Sequence, residues 1–157
     1  MDFTEHLTEA LIAAGFTPDE RAWGTHEQCG TFALALYDLL VGQGHSPAIV
    51  AFGEDGNWRQ GAVPEDLRYR WPGLVKRSHL NHITVRLEGR FFDIDGGHGA
   101  EEVASRYDAN GMIELNRAML RRKLGAASSQ PLQFDSAFYS DIKRRLEQHL
   151  AAPDIRL

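Results

Sequence analysis

The single cysteine of this sequence lies where a reactive cysteine would be expected. The chain has 157 residues, and Cys29 is inside the run THEQCGTFALALYDLL, which begins at Thr25. Thr25 and Gln28 have the spacing of a capping box, so we expect a helix to begin at Thr25 and Cys29 to lie at the edge of its first turn. Free N–H groups and the dipole of a helix N-terminus favour the thiolate, which is the nucleophilic form. The spacing predicts a nucleophile, and the alternative is a buried cysteine that only packs.

A nucleophilic cysteine needs a general base, and that base needs an orienting group. The run HITVRLEGRFFDIDGG predicts a β-hairpin whose two-residue turn is Glu88-Gly89. In that register His82 directly faces Asp95, with Cβ atoms about 4.5–5.5 Å apart. An aspartate at this distance accepts from one imidazole nitrogen and leaves the other nitrogen for a thiol. The hairpin thus predicts His82 as the base and Asp95 as its orienting group.

The same register divides the hairpin into two faces. One face is apolar and predicts a core, with Ile83, Val85, Leu87, Phe92 and Ile94. The other face is more polar, with His82, Thr84, Phe91, Asp93 and Asp95. A nucleophile at Cys29 would have to reach the polar face at a sheet edge or rim. The alternative for the hairpin is a polar pair that simply faces solvent.

The remaining elements are predicted from hydrophobic periodicity and from breaker residues. They are a helix over about 4–14, a connector over 15–24, a strand after Pro47, a long polar loop over 54–73, and helices over 112–125 and 135–152. Helices on both sides of a run of strands indicate an α+β fold with a small antiparallel sheet. We expect one domain over residues 1–157, with a core over about 25–99 and a helical extension over about 100–157.

Composition argues against several classes of function. A net charge of −5 supplies no basic surface for nucleic acid or for an anionic membrane. No apolar run approaches the ~20 residues of a membrane span, and the N-terminus lacks the pattern of a signal peptide. A lone cysteine forms no internal disulfide, so we expect a cytoplasmic protein, with delivery elsewhere by a signal-less route left open. We expect no cofactor.

These motifs resemble the transglutaminase-like superfamily, within the papain-like group of cysteine enzymes. That family has a cysteine at a helix start, an alanine, a Leu-Leu pair and a Gly-x-x-x-Ala leading into a strand, here Cys29, Ala33, Leu39-Leu40 and Gly44 to Ala48. It then has a histidine opening a strand, a Gly-containing turn and an aspartate closing the next strand, here His82, Glu88-Gly89-Arg90 and Asp95. The similarity covers about residues 25–99. DGGHG is also similar to the Asp-x-Gly-x-Gly of arylamine N-acetyltransferases, and Gly96-Gly97 replaces the Pro-Thr of the transglutaminase-like pattern.

The resemblance implies a papain-like/transglutaminase-like core with a Cys29–His82–Asp95 triad that acts on an acyl or amide carbonyl. The expected function is a cysteine-nucleophile hydrolase or acyltransferase, such as a protease, a deamidase or a transglutaminase-like enzyme. Its partner would be a peptide, a protein or a small amide or acyl substrate. The backbone N–H of Cys29 would hold the oxyanion together with a side-chain donor. Candidates for the oxyanion or substrate contacts are Gln28, His26, Asn81 and Trp23.

Two other functions stay open. A His/Asp metal site would use His79, His82, Asp95 and His98. The register places His79 and His98 on the face opposite to His82 and Asp95, so we expect no metal. A non-catalytic binding or regulatory module would retain the scaffold without the chemistry, and a buried Cys29 with no neighbouring imidazole would favour it.

Overall fold

The computed structural model describes residues 2–54, 79–109, 111–126 and 134–150. In chain order the elements are α1 (Phe3–Ala13), α2 (Pro18–His26), α3 (Cys29–Gly42), β1 (Ala48–Glu54), β2 (His79–Leu87), β3 (Arg90–Asp93), β4 (Gly96–His98), α4 (Ala100–Arg106), β5 (Gly111–Leu115), α5 (Arg117–Ala126) and α6 (Ser136–Leu150). The five strands form one antiparallel sheet in the order β4-β3-β2-β1-β5. The fold is therefore mixed α+β with a small antiparallel sheet, which confirms the predicted class.

Helix α2 occupies most of the segment that was predicted to be a connector, and that prediction is wrong. Thr17 caps α2: its hydroxyl accepts from the Glu20 N–H at 3.1 Å, and the Glu20 carboxylate accepts from the Thr17 N–H at 2.8 Å. Pro18 is the first helical residue, a position that suits proline because the missing N–H would be unpaired there in any case. Thr25 does not cap the next helix, because it lies in α2 and its hydroxyl donates to the carbonyl of Arg21 at 2.9 Å.

The sheet separates two apolar clusters. On one face α1, α3, α5 and α6 pack over the buried strand residues, which are Ile49, Ala51, Ile83, Val85, Leu87, Phe92, Ile113 and Leu115, together with Ile94 from the turn after β3. This set contains all five residues of the predicted hairpin core. The other face is covered by α4, where Val50, Phe52, Phe91 and Met112 meet Val103 and Ala104. The polar face of the hairpin is therefore buried beneath α4 and does not face solvent.

The described part of the segment after residue 100 is mainly helical, as predicted, but it also contains a strand, because Gly111–Leu115 forms β5 and pairs with β1. The predicted helix over 112–125 therefore combined two elements, the strand β5 and the helix α5. Asn116 separates the two elements, since its side chain accepts an N–H of the first turn of α5 at 2.8 Å. Helix α6 confirms the other helical prediction, and Asp135, the residue before it, accepts an N–H of its first turn at 2.8 Å.

The remaining predictions are confirmed or lie outside the described ranges. Helix α1 confirms the predicted first helix, and β1 confirms the strand after Pro47. Apart from Glu54, the long loop predicted over 54–73 lies outside the described residues. Among the helices of the described ranges, none is both long and apolar enough to cross a bilayer.

Candidate active site

Two successive turns determine which residues of the hairpin meet. Glu88, with φ +51°, and Gly89, with φ +82°, form the predicted two-residue turn, and both lie in the left-handed region that a type I′ turn requires. The register between β2 and β3 is the predicted one. Strand β3 ends at Asp93, however, because the chain turns again at Ile94-Asp95 and returns as β4.

Asp93, and not Asp95, is the carboxylate that contacts His82. Nε2 of His82 lies 2.8 Å from Oδ2 of Asp93, and both side chains are fully buried. The two residues are diagonal neighbours on the same face, a separation that long polar side chains can span. Asp95 is exposed in the second turn, where its carboxylate lies 3.3 Å from Arg21 and 3.6 Å from Arg106. The predicted His82–Asp95 pair is therefore wrong, because the second turn removes Asp95 from the strand.

The two glycines after Asp95 allow this second turn. Gly96 has φ +121°, a conformation that residues with a side chain rarely adopt. A Cβ on Gly97 would lie only 2.7 Å from the ring of Phe92. Proline, whose φ is locked near −65°, could not replace Gly96. The Gly-Gly pair is thus the sequence signal from which the end of β3, and hence the role of Asp93, could have been inferred.

The Asp93 carboxylate determines which nitrogen of His82 carries the hydrogen. Burial tends to raise the pKa of Asp93, but hydrogen bonds from His82 and His98 bring that pKa below its usual range. The ionised carboxylate can only accept, so Nε2 of His82 is the protonated nitrogen. Nδ1 of His82 is buried and has no hydrogen-bond partner within the described ranges. In the neutral ring Nδ1 bears the lone pair, and it is the atom that can act as a base.

The ring of Tyr107, which follows α4, stacks on one face of the His82 imidazole. The two rings stack with centroids 3.7 Å apart and planes 9° apart. Asn81 holds this segment in place, because its Nδ2 donates to the carbonyls of Tyr107 at 2.9 Å and Asp108 at 3.3 Å. Stacking therefore fixes the plane of the imidazole, while Asp93 fixes its tautomer. The Asn81 amide, predicted as an oxyanion donor, is engaged with these carbonyls.

Cys29 is the first residue of α3, earlier in the helix than the fourth position that was predicted. The backbone N–H groups of Ile83, Cys29 and Gly30 lie close enough to its sulfur to lower the pKa of the thiol. Ile83 follows His82 on β2, so the start of α3 lies against the strand that carries the histidine. The structure therefore brings the thiol beside β2 at the position next to the predicted base.

The thiol is nevertheless neutral, and the prediction of a thiolate is wrong. Cys29 is 1% exposed. Burial raises the pKa of its thiol to about 12, although the N–H group of Ile83 lowers it, and the negative charge of Asp93 raises it again. The helix N-terminus does present N–H groups to the sulfur, but the loss of solvation outweighs them. A thiol in these surroundings reacts only when a base removes its proton.

The other predicted residues lie near the start of α3 or in α2. Gln28 is the N-cap residue of α3 and is buried, and its Oε1 accepts from the hydroxyl of Thr31 at 2.6 Å. Trp23 packs against Phe138 of α6, with ring centroids 4.7 Å apart, so its ring belongs to the helical side of the core. His26 is the last residue of α2, and its side chain lies outside what the structure describes.

A second histidine shares the Asp93 carboxylate. Nε2 of His98 lies 2.9 Å from Oδ1 of Asp93, and its Nδ1 lies 3.3 Å from the carboxylate of Glu102. The hydrogen bond with Asp93 raises the pKa of His98. The alternation along β3 already placed Asp93 on the face of His82. The contact between His98 and Asp93 was not predicted. It depends on β4, which forms because the chain turns a second time at Ile94-Asp95.

The histidines proposed for a metal site have other roles in the structure. Within the described ranges, no three or more His, Cys, Asp and Glu side chains are grouped so that they could hold a metal ion. His82 and His98 both bind Asp93 through Nε2. His79 begins β2, and its side chain lies outside the described part of the chain.

Comparisons with protein-family models, with curated proteins and with solved structures found no match. The likeness to the transglutaminase-like superfamily is therefore one of motif order in the sequence. Any function has to be argued from the residues around Cys29, His82 and Asp93.

Proposed function

We propose that this chain is a cysteine-nucleophile hydrolase or acyltransferase, on a papain-like/transglutaminase-like core, that acts on an amide or acyl carbonyl. Its triad is Cys29, His82 and Asp93, with Asp93 in the role that the sequence suggested for Asp95. One observation carries the proposal. His82 is a buried imidazole held by Asp93 at Nε2, its Nδ1 has no hydrogen-bond partner in the described ranges, and the N–H of the next residue, Ile83, is close enough to the Cys29 sulfur to lower the pKa of the thiol. The substrate is a peptide, a protein or a small amide or acyl compound.

In the first step the Cys29 sulfur attacks the carbonyl carbon as its proton moves to Nδ1 of His82. An S–C bond forms, the carbonyl oxygen becomes an oxyanion, and His82 becomes an imidazolium beside the Asp93 carboxylate. Because the resting thiol is neutral, this is general-base attack and does not begin from a stored thiolate. The N–H groups of Cys29 and Gly30 at the start of α3 would stabilise the oxyanion.

In the second step His82 returns the proton to the leaving group. The bond between the carbonyl carbon and the leaving nitrogen or oxygen breaks, and the acyl group stays on Cys29 as a thioester. Water or an amine then attacks the thioester, with His82 again taking a proton. Water gives a carboxylic acid and an amine gives a new amide, and in both cases the thiol of Cys29 is restored.

The burial of Cys29 favours a second candidate, a non-catalytic binding or regulatory module that retains this scaffold. Cys29 is 1% exposed, and the pKa of its thiol is raised to about 12, as for a cysteine that only packs. The His82–Asp93 pair would then be a buried structural contact. The two candidates differ in whether an electrophile can acylate Cys29 in the folded protein.

Acylation of Cys29 by p-nitrophenyl acetate tests the proposal, and intact mass reads the thioester directly because Cys29 is the only cysteine. We expect one acetyl group on Cys29 in the wild type. His82→Ala should slow this acylation by about 10²–10⁴-fold, because the general base is lost. Asp93→Asn should slow it over a similar range of about 10²–10⁴-fold, because an amide also accommodates the wrong tautomer of His82. Asp95→Asn, the matched control, should leave the rate unchanged.

Cys29→Ser measures the background from amines and hydroxyls, and circular dichroism shows which variants are folded. A folded wild-type protein whose Cys29 resists both the ester and iodoacetamide would favour the non-catalytic module. Equal acylation rates in the wild type and in His82→Ala would remove His82 as the base. A rate that falls with Asp95→Asn but not with Asp93→Asn would restore the assignment made from the sequence.

A further inference from the structure

The proposed triad leaves His98 without a role, although this histidine is buried against the triad. Its Nε2 lies 2.9 Å from Asp93, and its Nδ1 lies 3.3 Å from Glu102. Glu102 has a side chain that is 53% exposed, so the three groups connect the buried carboxylate to the surface of α4. A neutral histidine uses one ring nitrogen as a donor and the other as an acceptor, whereas both ring nitrogens of His98 face a carboxylate, which only accepts.

The two carboxylates determine the charge of His98. Nε2 of His98 hydrogen-bonds to Asp93, and Nδ1 lies 3.3 Å from the Glu102 carboxylate as an ion pair. Two negative charges beside the ring favour the imidazolium cation, and the hydrogen bond to Asp93 raises the pKa of His98. The charged or titratable groups on the elements around β4 are Asp93 and Arg90 on β3, Glu101, Glu102 and Arg106 on α4, and Glu5, His6 and Glu9 on α1 with its cap Asp2.

We propose that His98 is a positioning residue: as an imidazolium between Asp93 and Glu102, it fixes the Asp93 carboxylate so that Asp93 holds His82 in the Nε2–H tautomer. Oδ1 of Asp93 accepts from His98 at 2.9 Å and from the Asp95 N–H at 2.9 Å. Oδ2 then accepts from His82 at 2.8 Å. Oδ1 of Asp93 is therefore held by two donors, and Oδ2 accepts from a single atom, Nε2 of His82.

The positive charge of His98 also changes how Asp93 acts on His82. A carboxylate that already faces one cation attracts a second cation less strongly. The imidazolium of His82 that forms during attack therefore returns its proton to the leaving group more readily than it would beside a bare carboxylate. This catalytic consequence rests on the proposed function, whereas the tautomer of His82 does not.

The β3–β4 hairpin is the backbone feature that brings His98 to Asp93. His98 pairs with Phe91 across the β3–β4 hairpin, which places it on the same face as Asp93. The hairpin depends on Gly96 at φ +121° and on the close approach of Gly97 to Phe92. The Gly-Gly pair that differs from the Pro-Thr of the transglutaminase-like pattern is therefore what supplies the second imidazole.

Long-range ¹H–¹⁵N spectra of the histidine rings test the inference without any substrate, because the two neutral tautomers and the imidazolium give different nitrogen shifts. Single His→Gln substitutions assign the signals. We expect His82 in the Nε2–H tautomer, and we expect His98 to be mainly imidazolium at pH 6.5, the ordinary pKa of a histidine. Glu102→Gln should make His98 lose its proton at lower pH than in the wild type. Glu101→Gln, the matched control on the same turn of α4, should not.

Two substitutions at His98 separate its role from mere packing. Gln keeps an N–H that can donate to Asp93, whereas Leu fills the space without a donor. His98→Leu should let His82 populate both neutral tautomers and slow acylation of Cys29 by about tenfold, the scale on which outer hydrogen-bond partners act in other sites. His98→Gln should preserve the tautomer of His82 and most of the rate.

The outcomes distinguish this inference from the proposed function. If Cys29 is never acylated but His82 and His98 have the expected protonation states, the function fails and the positioning role stands. If Cys29 is acylated but the His82 tautomer and the rate are the same in wild type, His98→Gln and His98→Leu, the positioning role is overturned. A neutral His98 with Nδ1 unprotonated in the wild type at pH 6 would overturn it as well. Should His98→Leu not fold, Glu102→Gln and the wild-type spectra still decide.

Discussion

Asp38 and Asp93 each accept hydrogen bonds from more than one side chain, but the donating side chains are of different kinds. Asp38 on α3 accepts from two nitrogens of Arg117, at 2.6 and 2.8 Å, and from the hydroxyl of Tyr139 at 2.5 Å. Asp93 on β3 accepts from two imidazoles, at 2.8 and 2.9 Å. The first cluster joins α3, α5 and α6 at the surface, whereas the second lies buried between the sheet and α4.

The partners decide what each carboxylate can do. Guanidinium and phenol keep their protonation states across neutral pH, so the Asp38 cluster is a fixed tie between helices. Imidazole gains and loses a proton in that range, so the Asp93 cluster can take part in proton transfer. Asp95, two residues from Asp93, has only Arg21 and Arg106 as ion-pair partners within the described ranges and resembles the Asp38 cluster in this respect. The kind of partner, and not the carboxylate itself, therefore distinguishes the structural cluster around Asp38 from the candidate site around Asp93.

The largest expected difference between the two clusters is in stability. Asp93→Ala leaves two buried imidazoles without their acceptor and should lower the free energy of unfolding by about 3–5 kcal/mol. Asp38→Ala removes a partly exposed pair and should cost about 1 kcal/mol. Urea unfolding followed by circular dichroism measures both values. Equal losses at the two sites would contradict the distinction between them.

The second difference is in pH dependence. The pKa of Asp93 is lowered in the folded state, so its contribution is complete above the unfolded value of 3.8 and is lost as the pH falls through the folded value. The pKa of His98 is raised, so its contribution is complete below 6.5 and is lost as the pH rises through the folded value. We expect the melting temperature to decline above pH 6.5. That decline should be weaker in His98→Gln and unchanged in Arg117→Gln.

Thermal unfolding at pH 5.5 and pH 8.5, for wild type and both variants, measures this effect. Because other groups also titrate, the informative quantity is the difference between each variant and the wild type at the two pH values. A His98→Gln variant whose deficit is the same at both pH values would show that the charge of His98 does not contribute to stability.

The smallest expected difference is in the response to salt. The side chain of Arg117 is 46% exposed, so ions reach its pair with Asp38. Arg117→Gln should cost about 0.5–1 kcal/mol at low ionic strength and less in about 1 M NaCl, where the Debye length is ~3 Å. The cost of His98→Gln should fall less with salt, because its contact with Asp93 is buried and only its contact with Glu102 is exposed. Urea unfolding at the two salt concentrations compares them, and a His98→Gln cost as sensitive to salt as that of Arg117→Gln would count against a buried ion pair.

The hairpin shows how far local patterns predict this structure. The turn at Glu88-Gly89 determines the register, and the register determines which side chains share a face, so the core face was predicted correctly, and so was the polar face apart from Asp95. The place where β3 ends was not predicted. Because the chain turns again at Ile94-Asp95, the carboxylate that contacts His82 belongs to Asp93 and not to Asp95.

Other errors arose where a local signal has two meanings. Pro18 can break a helix or begin one, and here it begins α2. The run GMIEL is too short for its hydrophobic period to separate strand from helix, and pairing with β1 makes it β5. Thr25 and Gln28 have the spacing of a capping box, but Thr25 belongs to the preceding helix. Each ambiguity is resolved by contacts with segments distant in the chain.

The sequence by itself determined that a helix begins near Cys29 and that His82 and an aspartate occupy one face of a hairpin. These features depend on turn residues and on hydrophobic periodicity within a few positions. Only the tertiary structure decided that the aspartate is Asp93, that His98 also binds it, and that the thiol of Cys29 is buried and neutral. These outcomes depend on how distant elements pack and on how much water that packing removes, and no local pattern encodes either quantity.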